Sequence, residues 1–365
     1  MRARLLFIIG ITTAMMICLE SSGQQVQFSQ YYSASLHLNP AIAGIYLSPS
    51  FHIGYRRQVS GSQSGTGVND RFINDLSQAS FIFPVKKKRS YGMPNGGIGL
   101  LLYTNGAGPG GGIKTNGVLL NYAHNLQIGP VRGKETLIFS IQSGYEQMRL
   151  STDGLRWGSQ HNPYVRDGFD PTSPVPFLDG FTQSPGYPVI NFGMMYYWNI
   201  ERNFHTYRYS AFSGFTVNNI NQPNNSFLGN EEGKINMFYK YHGGFEFRLK
   251  SFDFLPTILG TYANGTVRFN AGGTIAYDLQ ERRRFVTNNN SMKLAFGLWY
   301  KWKESFIVYG GFRSASLNIG LSYDLSTKEI IDSQILDFGP ATELTLQYYF
   351  VKKSRRSRAA ANPLF

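Results

Sequence analysis

Hydrophobic and polar residues alternate over long stretches of this chain, and Met237–Leu249 sets the pattern. Met237, Tyr239, Tyr241, Gly243, Phe245, Phe247 and Leu249 hold one parity, while Phe238, Lys240, His242, Gly244, Glu246 and Arg248 hold the other. A strand points successive side chains to opposite faces, so this segment has one greasy face and one charged face. The pattern recurs downstream. Val267, Phe269, Ile275, Tyr277 and Leu279 oppose Arg268, Asn270, Thr274, Asp278 and Gln280. Leu317, Ile319, Leu321, Tyr323 and Leu325 oppose Asn318, Ser322 and Asp324, and Leu344, Leu346, Tyr348 and Phe350 oppose Glu343, Thr345, Gln347 and Tyr349. In a soluble sandwich the greasy face would meet a second sheet. Its recurrence with aromatics on the apolar side suggests a closed sheet with lipid outside and water inside.

Alternation, β-branched and aromatic enrichment and turn residues mark about fourteen strands. They lie near 50–59, 76–85, 96–105, 115–126, 135–149, 187–199, 207–219, 236–250, 253–263, 266–280, 291–302, 305–313, 316–325 and 341–350. Many are long enough for a tilted span, and no convincing helical period appears between them. The expected fold is all-β, a transmembrane antiparallel up-and-down β-barrel of about 14 strands. Connections alternate in length as bacterial barrels require, with long loops outside and short turns in the periplasm. The gaps 60–75, 106–114, 150–186, 220–235 and 326–340 are long, and 127–134, 200–206, 251–252 and 314–315 are short. Two gaps, 264–265 and 303–304, are short where long ones are expected. Trp198, Trp302, Tyr348 and Phe350 fall near strand ends, where rings sit well at the headgroup level.

The start of the chain changes the compartment. Arg2 and Arg4, the apolar run Leu5–Leu19 and the small residues Ser21-Ser22-Gly23 read as a secretory signal cleaved before Gln24. The single Cys, Cys18, leaves with it. The expected division is 1–23 signal peptide, 24–49 lead or plug segment, 50–350 barrel and 351–365 basic tail. An exported strand-rich chain points to the outer membrane, with both termini periplasmic.

The formal net charge of +13 would suit nucleic acid, but export argues against that partner. Its distribution is more telling. Lys86, Lys87, Lys88, Arg89, Arg282, Arg283, Arg284, Lys352, Lys353, Arg355, Arg356 and Arg358 all fall in expected periplasmic turns or the tail. The long outer loops are mildly acidic, with Asp153, Asp167, Asp170, Asp179, Glu231, Glu232, Asp332 and Asp337. A basic rim calls for a counter-charge, either anionic headgroups or an acidic protein surface. Arginine dominates two of the three runs, and its planar fork suits carboxylates in fixed geometry, which favours the protein.

Candidate chemistry is sparse. His37, His52, His124, His161, His205 and His242 show no metal-ligand spacing, and no mature Cys supports a zinc site. The glycines at 108–112 lack the Lys-Ser/Thr of a phosphate loop and read as a flexible loop. His242 and Glu246 share a strand face as in part of a hydrolase site, but a polar lumen is the better reading of them. No catalytic residue, cofactor or metal is expected. The long gap 150–186 holds Trp157, Tyr164, Phe169, Phe177 and Phe181, with Tyr187 where it meets the next strand, either a binding tip or a fold-back over the pore.

Residues Gln27-Phe28-Ser29-Gln30-Tyr31 and Asn39-Pro40-Ala41-Ile42-Ala43-Gly44 resemble the opening of the PorP/SprF family of Bacteroidetes outer-membrane proteins. Gly54-Tyr55-Arg56, the stretch Asn318–Asp324 and the ending Asn362-Pro363-Leu364-Phe365 fit the same family. The resemblance implies a non-enzymatic part in the type IX secretion system, docking or assembling secreted surface proteins such as gliding adhesins. The implied partners are outer-membrane lipid, secretion-system subunits of the periplasm and outer membrane, and adhesin-like cargo. The other reading is a diffusion channel or hydrophobic-solute transporter. Physically, Asn39-Pro40 starts a turn and Gly44 allows a conformation other residues resist. The segment serves either as a lid or plug or as a structured lead-in to the first strand.

Overall fold

The computed structural model describes residues 27–60, 72–85, 94–108, 112–128, 135–150, 158–164, 168, 170, 172–173, 186–201, 208–226, 233–249, 251–279, 292–326 and 339–351. The signal segment 1–23 lies outside them. Fourteen strands form: β1 Ser50–Ser60, β2 Phe72–Val85, β3 Gly96–Ala107, β4 Ile113–Gln127, β5 Glu135–Leu150, β6 Tyr187–Glu201, β7 Arg208–Asn218, β8 Phe238–Leu249, β9 Phe252–Ala263, β10 Thr266–Asp278, β11 Lys293–Lys301, β12 Ser305–Arg313, β13 Leu317–Ser326 and β14 Ala341–Tyr349. Each pairs antiparallel with its sequence neighbours, and β1 closes on β14 from Ser50 opposite Tyr349 to Gln58 opposite Ala341. The barrel expected from the alternation is the barrel observed.

The wall is inside-out relative to a soluble protein. On β4, Leu120 is 63% exposed and its neighbour Asn121 only 3%. Val118, Tyr122, Phe245, Phe296, Leu298 and Leu321 face out, while Gln142, Thr257, Lys240, Lys301 and Glu343 are buried within. Only an apolar surrounding makes that arrangement stable, because water would penalise an apolar surface this continuous. Ring pairs mark both ends of the band. Tyr348 and Phe350 lie 4.9 Å apart at one end, and Tyr300 and Phe306 lie 4.7 Å apart at the other.

The rim where β1 begins and β14 ends is called the first rim; the opposite one is the second. The longest connection, 151–186, is at the second rim. So is the two-residue turn Asn264-Gly265, whose φ angles of 49° and 80° suit the tight hairpin turn that Asn-Gly favours. One seam is weaker than the rest. The β8–β9 pairing runs to Gly244 opposite Thr257 and resumes at Phe247 opposite Phe254, and Pro256 in the gap has no N–H to donate.

The wall is also uneven in height. β4 and β5 have 15 and 16 residues, whereas β11, β12 and β14 have 9 each. At a rise of ~3.4 Å per residue and a tilt near ~40°, nine residues cover roughly 23 Å, close to the ~25 Å apolar band of such barrels. Sixteen cover ~40 Å, so that side of the wall outlasts the band. The lower half of β2 was expected to begin only at 76. It begins at Phe72, where Asn74 and Asp75 are both polar and the hydrophobic alternation has already ended.

Phe245, 56% exposed on the outer face of β8, tests the lipid assignment. Phe245→Arg is expected to cost ~2–4 kcal/mol if the residue lies near the bilayer midplane. The folded, heat-modifiable band should be lost from outer-membrane fractions, and a normal band would contradict the outward placement.

Candidate functional site

The segment before β1 fills the lumen. It runs from Gln27 through a one-turn helix, α1 (Ser35–Leu38), and a 3-10 helix (Pro40–Gly44) to Ser50. All residues from Phe28 to Tyr46 are buried except the half-buried Ser33 and His37. The local reasons are readable. Asn39 is extended and its side-chain oxygen accepts from the Ala41 N–H at 2.9 Å, while Pro40 stands at the first helical position, where its missing N–H costs nothing. The wall makes room with glycine. A Cβ on Gly97 would strike the Ala43 carbonyl, and one on Gly193 would lie 2.9 Å from the Pro40 ring. Gly44 differs from expectation: its φ is not positive, and what it supplies is space, since a Cβ there would run into Asn125 and come within 2.9 Å of Ile138.

Near the second rim the segment is held by charge. The Glu343 carboxylate accepts the backbone N–H groups of Ser29 at 2.6 Å and Gln30 at 2.9 Å. The Ser29 hydroxyl donates to Asp324 at 2.6 Å. Arg56 and Lys301 each donate to the same Asp324 oxygen at 3.0 Å. Arg56 also lies 4.0 Å from Glu343. Two acids and two bases from β1, β11, β13 and β14 thus enclose the Ser29-Gln30 peptide with no net charge. All four are nearly dry, so each depends on the others.

Mid-lumen the contacts are amide and ring. Asn39 Nδ2 donates to the Met194 carbonyl and to His242 Nε2, each at 3.0 Å. Lys240 donates to the His37 carbonyl at 2.6 Å. The Tyr31 hydroxyl donates to Thr257 at 2.8 Å and the Tyr32 hydroxyl to the Gly243 carbonyl at 3.2 Å. Burial pushes both phenols above their ordinary pKa, so they stay neutral donors. Near the first rim, Asn121 donates to the Pro40 carbonyl at 3.0 Å, and Asn125 to the Gly44 carbonyl at 2.7 Å. Cavities of about 20 and about 30 Å³ flank the segment. Each has room for one or two waters.

The structure thus gathers the N-terminal motif in one place. Gln27 lines the cavity beside Trp302 at the second rim. Phe28 packs with Ala34 and Leu76, and Ser29, Gln30, Tyr31, Asn39, Pro40, Ala41 and Gly44 take the contacts above. Of the described ends, Gln27 lies toward the second rim while Val351, following β14, lies at the first. The described chain crosses the whole lumen before its first strand, because the clamp that holds Ser29 is built at the far ends of β11 and β13. The termini themselves, 1–26 and 352–365, lie outside the described residues.

The twelve basic residues singled out from sequence, Lys86–Arg89, Arg282–Arg284, Lys352, Lys353, Arg355, Arg356 and Arg358, also lie outside them. The described strand ends that lead to them, Val85, Leu279 and Val351, are all at the first rim. His242 and Glu246 do not form a pair. His242 meets Asn39, and Glu246 takes Ser210 at 2.8 Å and Arg248 at 2.5 Å. Among the described residues no group of three metal-ligating side chains comes together. Tyr187, grouped with the long loop from sequence, opens β6 and is buried. Of the clamp, Glu343 is legible from sequence only as a polar strand position, and Lys301 is not singled out. The signal each carries is a charge on the inward parity of its strand, which on β11 Lys301 shares with Lys293.

A closed fourteen-strand antiparallel barrel with an apolar exterior is an outer-membrane protein. The model of the family described as "Type IX secretion system membrane protein PorP/SprF" matches residues 20–348, and the chain belongs to that family. No curated protein matches the chain. Solved barrels resemble it in outline only. A "TodX deltaS2S3 mutant monoaromatic hydrocarbon channel" is 9% identical, with 92% of this chain and 97% of that one covered and a TM-score of 0.46. The "CymD monoaromatic hydrocarbon channel" is 9% identical, with coverage of 91% and 96% and a TM-score of 0.41. The translocator domain of the autotransporter NalP from Neisseria meningitidis is 10% identical, with coverage of 83% and 88% and a TM-score of 0.33.

Arg56→Met tests the clamp. Removing one partner of a buried ionic network is expected to cost ~3–5 kcal/mol. The barrel should unfold at lower temperature, and protease should reach residues 27–49 in the folded protein. Unchanged protection of that segment would show that the clamp does not hold it.

Proposed function

We propose that this chain is a non-enzymatic component of the type IX secretion system that docks or assembles secreted surface proteins, such as gliding adhesins, at the outer membrane. The observation that carries this reading is the filled lumen. Segment and wall are tied by hydrogen bonds from one rim to the other, and the two cavities described beside the segment are water-sized. A barrel in that state offers partners its two rims rather than a path through it. Family membership supplies the machine to which those partners belong.

The orientation that goes with this reading puts the first rim in the periplasm, because bacterial barrels carry their long loops outside and 151–186 is at the second rim. The C-terminal tail is then periplasmic. The runs Lys86–Arg89, Arg282–Arg284 and Lys352–Arg358 form a basic docking face for an acidic periplasmic subunit. Lipid would read only the total charge, whereas a protein surface reads the planar guanidinium forks.

Two measurements test this. Purified protein in planar bilayers is expected to show no steady ohmic pore; a stable pore would favour the diffusion-channel reading. Replacing Arg282, Arg283 and Arg284 together by Lys is expected to reduce co-purification of secretion subunits and display of cargo with barrel assembly intact. If only replacement by Glu does so, the face reads charge alone and specific docking is lost.

A further inference from the structure

The tall side of the wall carries a second surface, on the outside of the barrel. Cross-strand partners define it row by row. Ile53, Ala79, Leu102, Val118 and Tyr145 face out in register across β1–β5 and are the last apolar row to span all five strands; nearer the second rim the outward apolar pair is Val59–Ile73, on β1 and β2. The next row is Tyr55, Ser77, Thr104, Asn116 and Gln147, and the one after it is Arg57, Asp75, Gly106, Lys114 and Arg149. Apolar side chains thus give way to hydroxyls and amides, and those to cations. Among the described strand side chains, Arg57, Lys114 and Arg149 are the Lys and Arg residues on the outer face, and all three fall in this one row.

The row is electrostatically incomplete. Lys114 and Arg149 are direct cross-strand partners, an arrangement that destabilises a sheet when the charges are alike. Arg149 donates to Gln147 at 3.4 Å, a neutral partner. The one acid in the row, Asp75, lies 3.7 Å from Arg57, and both side chains are substantially exposed. Gly106 leaves open space between Asp75 and Lys114, across which the two still attract, so a single carboxylate serves both Arg57 and Lys114 in a row of three cations. A polyanion seated beside Lys114 and Arg149 would turn their repulsion into two charge-assisted contacts, with Thr104, Asn116 and Gln147 alongside as hydrogen-bonding groups.

We infer that this surface binds the phosphate groups of an outer-leaflet glycolipid. The position selects a lipid over a soluble anion or a protein: the cations stand two same-face rows, four residues, beyond the last full apolar row on each strand, where headgroups meet a barrel wall. That the leaflet is the outer one rests on the orientation given under Proposed function. The phosphate chemistry does not.

The test uses folded full-length protein in detergent with diphosphorylated lipid A and its dephosphorylated form as probes, read by native mass spectrometry. Wild type is expected to retain the phosphorylated lipid and not the other. The double variant Lys114→Gln with Arg149→Gln should bind it about thirtyfold more weakly, with the heat-modifiable band unchanged. Arg149→Lys should retain most of the binding. Equal retention of both lipids, or undiminished binding by the double variant, overturns the inference. So does loss of a co-purifying acidic protein from the double variant with lipid binding unaltered. Orientation is read separately. Cys18 is the only cysteine and lies in the signal segment, so Lys114→Cys gives a single site for an impermeant maleimide on intact cells. Labelling places the second rim outside. Failure to label would refute that orientation while leaving the lipid assay to decide phosphate binding by itself.

Discussion

Everything inside this barrel depends on one constraint: a peptide with no water around it must find its hydrogen bonds elsewhere. The segment from Gln27 to Tyr46 makes little regular structure, one helical turn and one 3-10 helix. The wall therefore supplies partners. Glu343 takes two N–H groups, Asn121 and Asn125 each take a carbonyl, and Lys240 takes another. Inward amides and charges that would be expensive in an ordinary core become necessary here.

The charged clamp shows how that necessity shapes topology. Asp324, Glu343 and Lys301 sit at the second-rim ends of their strands, so the residues they hold sit there too. The chain must then descend the lumen to begin β1 at the first rim. Closure of β1 on β14 brings Arg56 beside Asp324 and Glu343. Barrel closure and the seat of the segment therefore share the same residues, since Arg56 has these counter-charges only when β1 meets β14.

The filled interior leaves the rims and the outer wall as the surfaces open to partners. The two rims differ in connection length, and β2–β5 rise beyond the band that lipid covers. A wall that stands clear of the bilayer on one side presents a paired sheet with no free edge, a rigid platform safe from strand addition. Such a platform suits a secretion component better than a conduit.

Alternation alone determined the architecture. Lipid outside and polar contents inside impose opposite chemistry on the two faces of each strand, so period-two patterning located all fourteen strands, and the Asn-Pro pair located the turn at Asn39. The signal faded where the physics changed. Phe72–Asp75 were missed because Asn74 and Asp75, on opposite faces, are both polar and interrupt the alternation that marks the strand. Tertiary structure alone decided which inward charges meet. Arg56, Lys301, Asp324 and Glu343 are up to 287 positions apart in numbering, and only the register of a closed sheet brings them around Ser29. It also decided that the lead segment runs from the second rim to the first, because direction within a lumen is set by the far-off partners that hold it and by nothing in the segment's own residues.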